Sequence, residues 1–160
     1  IRSFCGTLLL NQNEIRKIKM KLIVLLILGI WTGMILGISF LEAPLKFQAP
    51  NITLTLGLGI GKIVFTALSK VEMIFSVLLI GWLLFQFKNL DLPILIILTF
   101  LISLIAIQSF WLLPILNERV DNLLKGVEVV KSNHHFYYVA LEILKVGALL
   151  FGFIKIYNHE

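Results

Sequence analysis

Cysteine is all but missing from this chain of 160 residues: Cys5 stands alone, which excludes an internal disulfide and any metal centre built from several thiolates. Charge is scarce as well. With 14% charged residues against 59% apolar ones and a mean hydropathy of +0.98, the composition excludes an ordinary soluble domain, where charged residues run to about 25%. Catalytic signatures are equally absent. There is no His-Glu-x-x-His pair, no cysteine pair, no carboxylate cluster and no nucleophile elbow, so the expectation is a protein that is not an enzyme and has no catalytic residues. Two of the three histidines, His134 and His135, are neighbours; on a helix they point about 100° apart and serve one haem or metal poorly, so no metal or cofactor is expected.

Two further absences concern partners. Gly57, Gly59 and Gly61 before Lys62 invite comparison with a phosphate-binding loop, but that loop needs a glycine where Leu56 stands and Ser or Thr where Ile63 stands. The dinucleotide pattern fails too, because its third glycine would fall on Lys62. The net charge of +5 is modest and collects in Arg2, Arg16, Lys17, Lys19 and Lys21, directly ahead of apolar sequence. That arrangement reads as an anchor against anionic lipid and excludes a nucleic-acid patch.

What is present is a succession of apolar runs, at about 22–41, 71–88, 92–113 and 134–156. Some 20 residues rising 1.5 Å each match a hydrocarbon core about 30 Å thick. The fold expected is an all-α membrane protein: one domain of four transmembrane helices in a bundle, with one or two short interfacial helices. Residues 1–19 read as a basic extension outside that domain, since Met20-Lys21 followed by an apolar run has the look of a translation start. The segment EAPLKFQAPN from Glu42 to Asn51 carries two prolines and is expected to break the helix at the interface. Ser69-Lys70-Val71-Glu72 has the form of a capping box and predicts that a membrane helix starts there. The alternative is one helix from about Thr55 to Phe87, which would set Lys62, Thr66, Ser69 and Ser76 on a single inward face. Lys88 to Asp91 reads as a tight turn. Ile115 to Lys125 is amphipathic and predicts a helix lying on the membrane surface, ended by Gly126.

Small residues recur at helical spacing. Gly29, Gly33 and Gly37 form a ridge for close helix packing within the chain, or else a homodimer seam. Thr99, Ser103 and Ala106 make a second such stripe. The polar residues are more telling. His135, Tyr138, Glu142 and Lys145 fall on one face of the last apolar run; Glu142 and Lys145 lie about 12 and 17 Å in from its start, where a charge costs several kcal/mol unless paired or neutralised. With Glu72 they are expected to form an intramembrane polar cluster; Glu42, Lys46, Lys62 and Lys70 are candidates for a cavity or interface. Basic residues flanking the runs number seven on the side of the termini and six on the other, or three against six if the chain starts at Met20, so orientation is not fixed.

The order of these elements runs from a first span ending in ISFLEAPLKFQAP, through a Gly-Lys-containing helix and a Lys-x-Glu, to a His/Tyr/Glu/Lys final helix. It resembles an uncharacterised bacterial four-span integral membrane protein family and, more distantly, the group typified by transmembrane protein 205. The resemblance implies a four-helix membrane bundle and brings no catalytic residues. The bilayer is the first partner expected, with a membrane-protein partner or a second copy next, and the location a multi-pass one in a cell membrane, the bacterial inner membrane in this reading. Three functions fit: an accessory or structural component of a membrane assembly, favoured; a proton- or ion-coupled carrier using the Glu/Lys cluster; and a cofactor-binding membrane protein.

Overall fold

A computed structural model describes residues 2–86, 91–129 and 132–158, except the side chains of 2–11, 13 and 86. The expected turn at 88–91 therefore lies, Asp91 apart, outside the described residues. Helix α1 (Arg2–Ile35) passes through a π-helical turn, Leu36–Glu42, into the short α2 (Ala43–Leu45) and a 3-10 turn, Lys46–Gln48. Next come α3 (Leu54–Gln86), α4 (Leu92–Ile107), a second π turn at Gln108–Leu112, α5 (Leu113–Leu124) and α6 (His134–Asn158). Among the described residues there is no strand.

The two π turns have a common cause. Each is followed two residues later by a proline, Pro44 and Pro114. A proline donates no N–H and its ring collides with the carbonyl four residues back; here those carbonyls belong to Phe40 and Phe110, inside the widened turns. Widening the turn lets the helix continue past the proline. Three helical runs extend further than composition predicts, Glu14–Gln48 and Leu92–Leu124 through these turns and Leu54–Phe85 without one, and each is long and apolar enough to cross a membrane.

Three expectations are corrected by this continuity. The segment from Glu42 is helical up to Gln48, and the chain breaks only over Ala49–Thr53, where Asn51 adopts a left-handed φ of 64°. No helix starts at Ser69; α3 runs through it, and the side chains of the supposed capping box are engaged elsewhere, Ser69 Oγ with Ser109 Oγ at 2.8 Å and Glu72 in the core. In hydrocarbon an interrupted helix would leave backbone groups without partners, so continuity wins. Nor does α5 lie apart on the surface. It continues α4 and packs along α3, where Lys62 pairs with Asp121 and Asn117 Nδ2 donates to Thr66 Oγ1 at 3.2 Å.

In the bundle, α1 packs on α6 and α3, and α4 packs on the same two. Helices α3 and α6 thus face each other across the diagonal. One apolar layer joins Leu28, Trp31, Ile35, Leu79, Leu98, Leu101, Ile105 and Leu149; a smaller one joins Leu112, Leu113 and Tyr138, backed by Phe65. Between these layers lie the buried polar residues Glu72 on α3, Gln108 in the second π turn, and Glu142 and Lys145 on α6.

The glycine ridge turns the other way from expectation. A Cβ at Gly29, Gly33 or Gly37 would meet nothing within 4 Å, and Gly29 and Gly33 are exposed, so none of the three packs against a helix of this chain. Thr99, Ser103 and Ala106 are exposed as well, the two hydroxyls donating to the carbonyls of Leu95 and Thr99 on their own helix. Outside water, a small residue gains nothing by burial beyond the contacts it makes. Gly33→Ala should accordingly leave thermal stability in detergent unchanged or raise it by up to about 1 kcal/mol through helix propensity. A clear drop in the unfolding midpoint would show that this face is covered.

Candidate functional site

Four helical runs each send a polar side chain into one layer. Lys145 of α6 is fully buried, and Glu72, Glu142 and Gln108 are 1%, 1% and 2% exposed. Lys145 Nζ donates to Glu72 Oε1 at 2.5 Å and stands 3.1 Å from Glu142 Oε1, so it bridges two carboxylates, one from across the bundle and one a turn back on its own helix. Trp31 of α1 donates its indole N–H to Glu72 Oε1 at 3.0 Å. Gln108, placed by the second π turn, donates through Nε2 to Glu142 Oε1 at 3.1 Å and to the Tyr138 carbonyl at 3.3 Å.

Two carboxylates against one ammonium leave this layer a formal charge of −1 inside an apolar bundle. The excess has a location. Glu142 Oε2 is buried with no hydrogen-bond partner, and so is Gln108 Oε1. Glu72, by contrast, is held by both Trp31 and Lys145. Two donors thus converge on one oxygen of Glu72, while a fully buried oxygen of Glu142 is short of one.

Glu142 is also where the layer meets open space. A cavity of about 570 Å³ fills the end of the bundle where the first π turn, the start of α3, α5 and the start of α6 come together. Its walls are mostly apolar, with Phe40, Phe65, Leu113, Leu116 and Val120 among them; Glu142 and Tyr138 stand at its inner end. Glu142 is eight residues into α6, about 12 Å from the helix start. Lys46, Lys62, Arg119 and His135 line it as well. The room for it comes from glycine. A Cβ at Gly57 would fall 2.3 Å from the Phe47 ring, and one at Gly61 would fall 3.0 Å from Lys46 Nζ, so Phe47 and Lys46 lie directly on the backbone of α3.

Of the residues singled out by sequence, Glu72, Glu142, Lys145 and Tyr138 come together, Tyr138 being buried with its ring edge-on to Phe65 at 5.5 Å. His135 does not join them; it is exposed and borders the cavity. Glu42 and Lys46 pair at 3.4 Å, and Lys46 and Lys62 line the cavity, whereas Lys70 is exposed and no part of it. Trp31 and Gln108 complete the layer without having been singled out for it, and Ser39, whose buried Oγ also lacks a partner, lines the cavity wall. Among the described residues no group of three His, Cys, Asp or Glu side chains is arranged to hold a metal ion.

No protein-family model, no curated protein and no solved structure matches this chain. Helix length and hydropathy define the class, a multi-pass helical membrane protein in contact with lipid.

Proposed function

We propose that this chain is a four-span membrane protein, α6 being the fourth span, that admits a small solute to the cavity and exchanges a proton at Glu142, as a proton-coupled carrier does. One observation carries the reading: among the described residues, the one carboxylate oxygen that is fully buried and has no partner belongs to Glu142, which lines the cavity. A proton on Glu142 brings the layer from −1 to neutral, and its O–H faces a choice of acceptors. An intramembrane acid so placed is the usual mark of a proton or solute route. Lys145 and Glu72 then serve as the fixed part of the layer, tying α6 to α3.

The test is proton movement in proteoliposomes loaded with a pH-sensitive dye, under an imposed pH gradient. Wild-type protein should carry protons above the protein-free background, and Glu142→Gln should fall to that background while keeping its unfolding midpoint. Wild-type flux in the Gln variant overturns the reading.

A second reading, an accessory component of a membrane assembly, is favoured by the outward face of Gly29 and Gly33, on which a neighbouring helix could approach closely. Affinity purification in mild detergent separates the two. A stoichiometric partner lost on Gly33→Leu supports the accessory role.

A further inference from the structure

We infer that the solute is a zwitterion bearing a primary ammonium and an acidic group, as an ethanolamine phosphate head does, with the ammonium on Glu142 and the acid on Lys46. This inference rests on the cavity being a solute site.

The order of charge along the cavity selects the ligand. At the inner end the unpartnered atoms are acceptors, Glu142 Oε2 with Gln108 Oε1 behind it, and the unpartnered Ser39 hydroxyl on the wall can accept as well. A buried carboxylate oxygen is satisfied only by a donor, and best by a charged one. On another part of the wall Lys46 Nζ lies against Gly61, 5.7 and 5.4 Å from the ring centres of Phe47 and Phe65, its side chain 10% exposed. Its one carboxylate neighbour is Glu42 at 3.4 Å, a long contact that uses one of three N–H donors. Lys62 is already taken up by its short contact with Asp121. Lys46 is therefore the cation best placed to receive an anion.

Simpler ligands fit one end only. A lipophilic cation would meet Glu142 but share the cavity with Lys46, Lys62 and Arg119. A plain anion would meet Lys46 but face a buried layer already carrying −1. A zwitterion is attracted at both ends, and the apolar walls accommodate the chain attached to it. A volume of about 570 Å³ falls within the range of small-molecule sites, about 300 to 1,000 Å³. The same chemistry occurs in an aminophospholipid head and in a free aminoalkyl phosphate.

Native mass spectrometry of the purified full chain decides the matter, using equimolar phosphatidylethanolamine and phosphatidylcholine with identical acyl chains. The two lipids share the phosphate and the positive charge, but the choline head has no N–H. Wild-type protein should retain the ethanolamine lipid by about tenfold over the choline lipid, the weight of one charge-assisted hydrogen bond. Glu142→Gln should bring the ratio close to one, and Lys46→Met should lose both lipids. Equal retention by the wild type overturns the inference without any variant having to fold, and so does an unchanged ratio in Glu142→Gln. Free phosphoethanolamine, added in excess, names the source: displacement of the bound lipid assigns the site to the soluble zwitterion, and retention assigns it to the lipid head. Proton movement is read separately, so equal retention beside wild-type proton flux sinks the ligand assignment alone, whereas loss of both sinks the carrier reading with it.

Discussion

Lys145→Met is expected to cost about 3–5 kcal/mol, the range seen when one partner of a buried ion pair is removed and the other charge stays behind. The loss is at the upper end because this ammonium serves two carboxylates: without it Glu72 and Glu142 face each other in an apolar bundle, and the donors that remain are Trp31 and Gln108, one for each. Methionine fills the same volume, so packing is not what is lost. The measurement is the thermal unfolding midpoint in detergent, together with the yield of monodisperse protein. Adding Glu72→Gln and Glu142→Gln to the Met variant removes the stranded charges and should recover more than half of the lost stability. If the single variant unfolds where the wild type does, the layer does not hold the bundle together.

Gly57→Leu comes next. At Gly57 even a methyl group would lie 2.3 Å from the Phe47 ring, far inside van der Waals contact, and a leucine cannot be placed unless the segment Lys46–Gln48 moves off α3. The cost is about 1–3 kcal/mol of overpacking, lowered to the extent that the connection swings away. A swing would carry Lys46 with it and open the cavity, so binding of any cavity ligand should suffer more than stability does. Gly59→Leu is the matched control, since a Cβ there has its nearest neighbour, a Leu124 methyl, at 3.8 Å. Equal behaviour of the two variants would mean that the close approach of Phe47 to α3 is not part of the folded state.

The polar layer was legible in part because burial of charge leaves a trace in sequence. Glu142 and Lys145 stand out on α6 since they are the charged residues in the middle of an apolar run that carries no other Asp, Glu, Lys or Arg before Lys155, and the helical period sets Tyr138 on their side. Their partners left a fainter trace. Trp31 and Gln108 stand beside hydroxyl residues such as Thr32 and Ser109 in apolar stretches, and an indole or amide there looks the same whether it faces a carboxylate, a headgroup or lipid. Only the crossing of helices tells them apart. The capping box at Ser69 misled for a different reason: it is a rule about helix ends in water, and Ser69 to Glu72 lie in mid-helix, where the same oxygens are used between helices. The glycine ridge misled because small residues on a membrane helix permit close packing without requiring it. Of the cavity, sequence showed only Lys46 and Lys62 as candidate lining; its walls depend on where the segments around Pro44 and Pro114, distant in the chain, come together, which no local pattern records.

The link between α3 and α6 has a consequence for the order in which the protein is made. Glu72 and Lys145 are separated by 73 positions, whereas Trp31 precedes Glu72 by only 41 and belongs to a helix already synthesised when α3 emerges. Synthesis runs from the N-terminus, so α1 and α3 reach the bilayer before α6 exists. During that interval, of the two donors that hold Glu72 in the finished layer, only the indole N–H is present. The tryptophan, which adds little to the charge balance of the finished bundle, is therefore the chaperone of its own chain's acid until the lysine arrives.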